Sequence, residues 1–156
     1  MTLSPDSVAA RAATLFVILS LDDPTALRVS AALYLAERTH LERHGSLMFG
    51  AAYTATSEGP LCDGVEETLS SYWLPSEPDL DELSVGAVQA LSASLRTCAE
   101  LTPAALAGRV RDVAWAEAAC SGGIITAEMI ARALPNALEL LAYLADPYPG
   151  EATLRR

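Results

Sequence analysis

The sequence predicts a mainly α protein: one compact helical domain of about six to seven helices with a small β-hairpin-like element. Three observations predict it. Of 156 residues, 29 are alanine and 24 leucine, both strong helix formers, while β-branched and aromatic residues are sparse. Helix-start signals recur along the chain. Strict alternation replaces the helical period only between Gly45 and Asp63. An apolar fraction of 51% is too high for disorder, and the length suits a single domain over 1–146 with a loose tail over 147–156.

The elements follow in order. Ser4-Pro5-Asp6 supplies a cap, a proline for the first helical position and an acid for the positive helix end, opening a helix from about Pro5 to Ser20. Asp23-Pro24 repeats that logic for a long helix to about His44, stopped by Gly45. On it, Leu27, Ala31, Tyr34, Leu35 and Leu41 share one face and Val29, Leu33, Ala36 and His40 another, as in a central helix wrapped by others. Leu47, Phe49, Ala51 and Tyr53 then alternate with Met48, Gly50, Ala52 and Thr54, predicting a short strand before the turn Ser57 to Pro60. Asp63 to Glu66 reads as a capping box for a helix to about Ser71, and Tyr72-Trp73-Leu74 as a second short strand. After the acidic, proline-rich loop Pro75 to Glu82, Ser84 caps a helix over about 85–99 and Thr102-Pro103 another. Gly122-Gly123 suits a helix C-cap, Thr126 starts a helix at Ala127, and Pro135 breaks the chain before an apolar helix from Asn136 to Ala145. That last helix either packs on the core or offers a dimer or partner surface.

Charge and composition exclude several functions. With 20 acidic and 10 basic side chains and a net charge of −10, the surface repels phosphate backbones, which disfavours nucleic-acid binding. All ten basic side chains are arginine. Genome composition explains the missing lysine; the functional alternative is a protein that offers no ε-amine to lysine-directed tagging. Cys62, Cys98 and Cys120 are odd in number and far apart, as expected of reduced, mostly buried thiols. The apolar run Ala12 to Leu21 is too short for a bilayer, and no basic residue precedes Arg11 as a secretory leader would require. The expectation is a cytoplasmic protein that makes no membrane contact.

Catalytic patterns do not emerge. There is no nucleophile elbow or glycine-rich phosphate loop, and the adjacent Glu66 and Glu67 point to different helix faces. The chain is expected to be neither an enzyme nor a cofactor carrier. Glu37, His40 and His44 share a helix face and form one weak metal candidate, which a water or a distant carboxylate would complete. The alternative is a half-buried His40 and a His44 whose positive form suits the helix C-terminus.

Protein contact is the class that remains. Phe16, Tyr34, Phe49 and Trp115 are expected in the core, whereas Tyr53, Tyr72 and Trp73 near the hairpin are candidate interface anchors. Gly59-Pro60 is either a corner that determines the fold or part of a docking edge. Glu58, Glu77, Asp79, Asp81 and Glu82 either form a solvated surface or steer a basic partner.

The run Leu33-Tyr34-Leu35-Ala36-Glu37-Arg38-Thr39-His40-Leu41, then Gly45, Tyr53 with Ala55, and Gly59-Pro60-Leu61, resembles the Panacea domain, the SocA-like antitoxin family. In that family an apolar helix with a Leu-Tyr core ends at glycine, and a short strand runs into a Gly-Pro-Val turn. Leu83-Ser84, Leu101-Thr102 to Leu106, Trp115 with Ala118, and Ile125 to Ile130 extend the similarity over about residues 6–134. The chain departs from the pattern at Ala31-Ala32, where the family has a lysine, at Leu61, at Arg111 to Ala114, and in the helix after Pro135. The resemblance implies a helical domain that neutralises a cognate toxin, encoded by the adjacent gene, by direct binding. The expected function is therefore that of an antitoxin. Alternatives are an adaptor delivering a client to a protease, as some members do, and a helical transcription regulator, for which the scattered arginines make no basic stripe.

Overall fold

A helix whose middle is apolar on every side has to be enclosed there by other elements. The computed structural model, which describes residues 7–48, 52–71, 74–75, 77 and 79–145, has such a helix at its centre. Helix α2, Ala26–His44, is buried without interruption from Val29 to Glu37, and His40 and Leu41 extend the buried stretch. Around it pack α1 (Ser7–Ser20), α3 (Val65–Leu69), α4 (Val85–Glu100), α5 (Pro103–Val110), α7 (Ala127–Arg132) and strand β2 (Gly59–Cys62). With α6 (Val113–Cys120) and α8 (Ala137–Ala145), the described residues form eight α-helices, a 3₁₀ turn at Leu80–Glu82 and three short strands. The predicted mainly α class is what the chain adopts. None of the described helices is long and apolar enough to cross a membrane.

Most of the helix starts lie where capping chemistry puts them. Ser84, Thr102 and Thr126 each accept a hydrogen bond from the backbone N–H three residues on, as N-caps do. Gly45 closes α2 in the left-handed conformation, φ 74°, donating its N–H to Leu41. Gly122 and Gly123 follow α6 with φ 112° and 86°, and Gly123 N–H donates to the Ala118 carbonyl at 2.7 Å. That bond spans five residues back, as at a Schellman helix end.

Several expected boundaries move. The cap of α2 is Thr25, not Asp23, whose carbonyl instead accepts from the Arg28 guanidinium. Pro24 biases the preceding residue toward an extended backbone, so the helix starts after it. The cap of α3 is Gly64 at φ 87°, without a side-chain cap bond, and Asp63 instead closes the hairpin by donating its N–H to the Ala52 carbonyl. The hairpin pairs β1, Tyr53–Thr56, with β2 across the two-residue turn Ser57-Glu58; the expected first strand from Leu47 is displaced toward the C-terminus. Tyr72 and Trp73, placed in the expected second strand, lie outside the described residues, as do Ser4 to Asp6, Phe49 and the tail over 147–156.

The sheet runs β2-β1-β3, all antiparallel, with β3 only Ile124–Ile125. Pro60 can occupy β2 because that strand is an edge and needs no N–H on its open side. Long-range bonds from three residue pairs tie the hairpin to the helical part of the chain. Cys62 N–H donates to Ser30 Oγ at 2.9 Å, Trp115 Nε1 to the Thr56 carbonyl at 2.8 Å, and the Arg111 guanidinium to the Glu58 carbonyl at 3.1 and 3.2 Å.

Candidate functional site

Because α5 crosses the start of α2 beside the hairpin turn, a groove opens between the three. Its volume is about 430 Å³. Pro60, Ala31, Leu101, Leu106 and Val110 contribute apolar surface, while Arg28, Glu58 and Arg111 contribute charge. An apolar concavity with a few polar groups at its edge is the usual form of a binding site. Both arginines are already employed: Arg28 holds the Asp23 carbonyl, and Arg111 grips the turn through two of its nitrogens. The grip fixes the hairpin tip against α5, so this wall of the groove is preformed.

Three of the residues singled out in the sequence meet here. Glu58 is exposed in the turn, and Gly59 and Pro60 are buried in the wall. Gly59 adopts φ 140°, outside the range of ordinary side chains, so it is a geometric corner as well as a groove residue. Asp79, Asp81 and Glu82 belong elsewhere, to the exposed 3₁₀ turn that leans on α1. Asp79 caps that turn, its carboxylate accepting from Asp81 N–H at 3.2 Å.

Tyr53 is not a surface anchor. It is 1% exposed and meets Tyr34 edge-to-face, with ring centroids 5.4 Å apart. From β1 it points at the central helix, where Tyr34 and the core enclose it. Tyr34 is fully buried, and Phe16 and Trp115 are half-buried against the core.

Glu37, His40 and His44 do not converge on a metal position. Among the described residues no three His, Cys, Asp or Glu side chains are placed to hold a metal ion. Glu37, fully buried, accepts from Met48 N–H at 2.9 Å, and His40 Nδ1 lies 2.7 Å from the Ser46 carbonyl. A carbonyl only accepts, so Nδ1 carries the proton. Both side chains close the chain reversal after α2. His44 is exposed, its ring 4.6 Å from that of His40.

The sequence reading missed Asp112. Its carboxylate caps α6 through Trp115 N–H at 2.9 Å and accepts from Tyr34 Oη at 2.9 and 3.0 Å. Arg38 Nη1 lies 3.4 Å away on the same group. An Asp immediately before an Ala-rich segment is an N-cap signal, but its partners on α2 leave no trace in local sequence.

Tyr34, Tyr53 and Cys62 are held in their neutral forms. Burial, followed by the charge and hydrogen bond of Asp112, raises the Tyr34 phenol far above its ordinary range. Burial likewise raises Tyr53. Burial, then the nearby Glu37 and Asp63, push the Cys62 thiol up to about 12. All three cysteines are free, Cys62 and Cys98 buried and Cys120 exposed.

Comparison with family models, characterised proteins and solved structures finds no match to this chain.

Proposed function

We propose that this protein is a non-catalytic antitoxin that neutralises a partner protein by stoichiometric contact, with the groove between α5 and the hairpin turn as its docking surface. The observation that carries the reading is the groove itself, where Glu58, Gly59 and Pro60 meet an apolar helix face. A preformed apolar slot suits a bulky anchor residue of a partner, because such anchors supply most of the energy of protein interfaces. The inward-facing, neutral tyrosines and Cys62 support a binding role, since none is an activated nucleophile. The net charge of −10 favours a basic partner. The order of the Leu-Tyr-Leu-Ala, Gly-Pro-Leu and Trp115 motifs supports an antitoxin in particular.

Co-expression with the product of the adjacent gene is the test. The expected result is that this product arrests growth alone and is harmless when the protein is present, in a one-to-one complex. Ala107→Trp, which fills the groove from α5, should weaken that complex by about a hundredfold or more while leaving the thermal midpoint nearly unchanged. An adjacent product that is harmless alone, or that stays toxic and unbound, overturns the proposal.

A further inference from the structure

Beyond the groove, α5 has a second side. There Arg109 faces a cavity of about 310 Å³ together with Arg38, Thr39 and Arg43 of α2 and Thr97 of α4. Three of the ten arginines in the chain line this one cavity. Glu42, exposed, is the single carboxylate among the lining residues, and Arg38 is paired with Asp112 outside them, which leaves a formal charge of +1 (Arg43 and Arg109 less Glu42) in a protein whose total is −10.

The protein itself makes little use of these arginines, as of the exposed Arg11 and Arg96, but only here do three of them line one cavity among the described residues. Arg28, Arg111 and Arg132 are tied to carbonyls or a carboxylate. Arg43 and Arg109, in contrast, form no hydrogen bond or ion pair with any described residue, although acidic side chains outnumber basic ones two to one. Arg38 gives Asp112 only Nη1, and its buried Nε–H meets no acceptor among the described residues. Guanidinium groups that converge without carboxylate partners are the usual receptor for phosphate, which they bind through paired N–H donors.

We propose that this cavity binds a small phosphate monoester. The N–H donors of Arg43 and Arg109, with the free Nε–H of Arg38, match the three acceptor oxygens of a phosphate better than the two of a carboxylate. The volume, at the low end of small-molecule sites, restricts the ligand to a phosphate on a compact body. The site is separate from the docking groove and stands whether or not a toxin occupies that groove.

Isothermal titration calorimetry at constant ionic strength, with glycerol 3-phosphate and inorganic phosphate as separate probes, is the experiment. The expected result is saturable one-to-one binding of glycerol 3-phosphate, and a thermal midpoint raised by roughly 5–10 °C at a hundred times its Kd. Because phosphate also stabilises proteins generally by exclusion from their surface, the decisive comparison is with Arg43→Gln/Arg109→Gln. Both arginines are exposed and make no internal contacts of their own, so the double variant should fold with an unchanged midpoint and lose at least about tenfold in affinity. Weaker binding of inorganic phosphate shows that the cavity also holds the carbon body; equal binding shows that the phosphate alone is read. No saturable heat for either probe up to about 10 mM, or equal affinity in the double variant, overturns the proposal.

Discussion

Asp112 serves three partners at once. One carboxylate, 13% exposed, caps α6, receives the Tyr34 hydroxyl and pairs with Arg38. Removing it therefore costs more than a cap. Thr102→Ala, which deletes a cap and little else, should lower stability by about 1 kcal/mol. Asp112→Ala should cost about 3 kcal/mol or more, because it also strands a buried phenol and a mostly buried guanidinium. Asp112→Asn keeps an acceptor for the cap and should fall between the two. Urea unfolding reads these values as shifts in midpoint at constant slope. Equal losses for Thr102→Ala and Asp112→Ala would show that the Tyr34 and Arg38 contacts contribute nothing. The two halves of this residue differ in legibility. The cap is written next to its helix, but Tyr34 lies 78 positions away, and only the folded chain brings them together.

At the scale of elements, the chain reversal after α2 shows why some features were legible and others not. Gly45 announced the helix end, because only glycine takes φ 74° there without strain. By contrast, β3 is two residues long and α6 packs only Ala114 and Ala118 fully, so neither leaves a periodic signal. The first strand was misplaced because alternation from Leu47 to Thr54 looks the same whether or not its first half is paired. The same reversal sets a pH dependence. Burial lowers the pKa of His40 from its ordinary 6.5, and His44 adds to this, while the bond to Ser46 opposes it. The unfolded chain then takes up the proton at a higher pH than the folded one does. Stability is therefore complete above 6.5 and is lost as the pH falls through the depressed folded value. His40→Asn places an amide donor near the Nδ1 position without a titrating ring. Its urea midpoint should fall less than the parent's between about pH 7 and about pH 5.5. Parallel pH profiles would mean that His40 is not the source of the slope.

For the molecule as a whole, the question is how a charge of −10 acts at a distance when its parts do not sit together. In the sequence the acids read together, as a solvated surface or as a group steering a basic partner, but Glu58 lies at the groove whereas Asp79, Asp81 and Glu82 sit on the turn against α1. Composition states how much charge there is, and topology alone decides where it goes. Under the antitoxin proposal the two groups therefore have different duties. Contact energy belongs to the groove and should appear in dissociation, while the remote acids act only through their field, which accelerates encounter. Asp79→Asn/Asp81→Asn/Glu82→Gln takes the net charge from −10 to −7, three charges fewer. Asparagine caps as well as aspartate, so the turn should persist. At about 20 mM salt the triple variant should bind the toxin about threefold to tenfold more slowly, with dissociation unchanged, and the deficit should vanish near 0.5 M, where screening is nearly complete. Ala107→Trp should show the converse, with association nearly intact and dissociation much faster. Stopped-flow association and surface-based dissociation measurements on both variants separate the two. If the triple variant changes dissociation instead, the acidic turn is itself in contact with the toxin and the interface extends from the groove to α1.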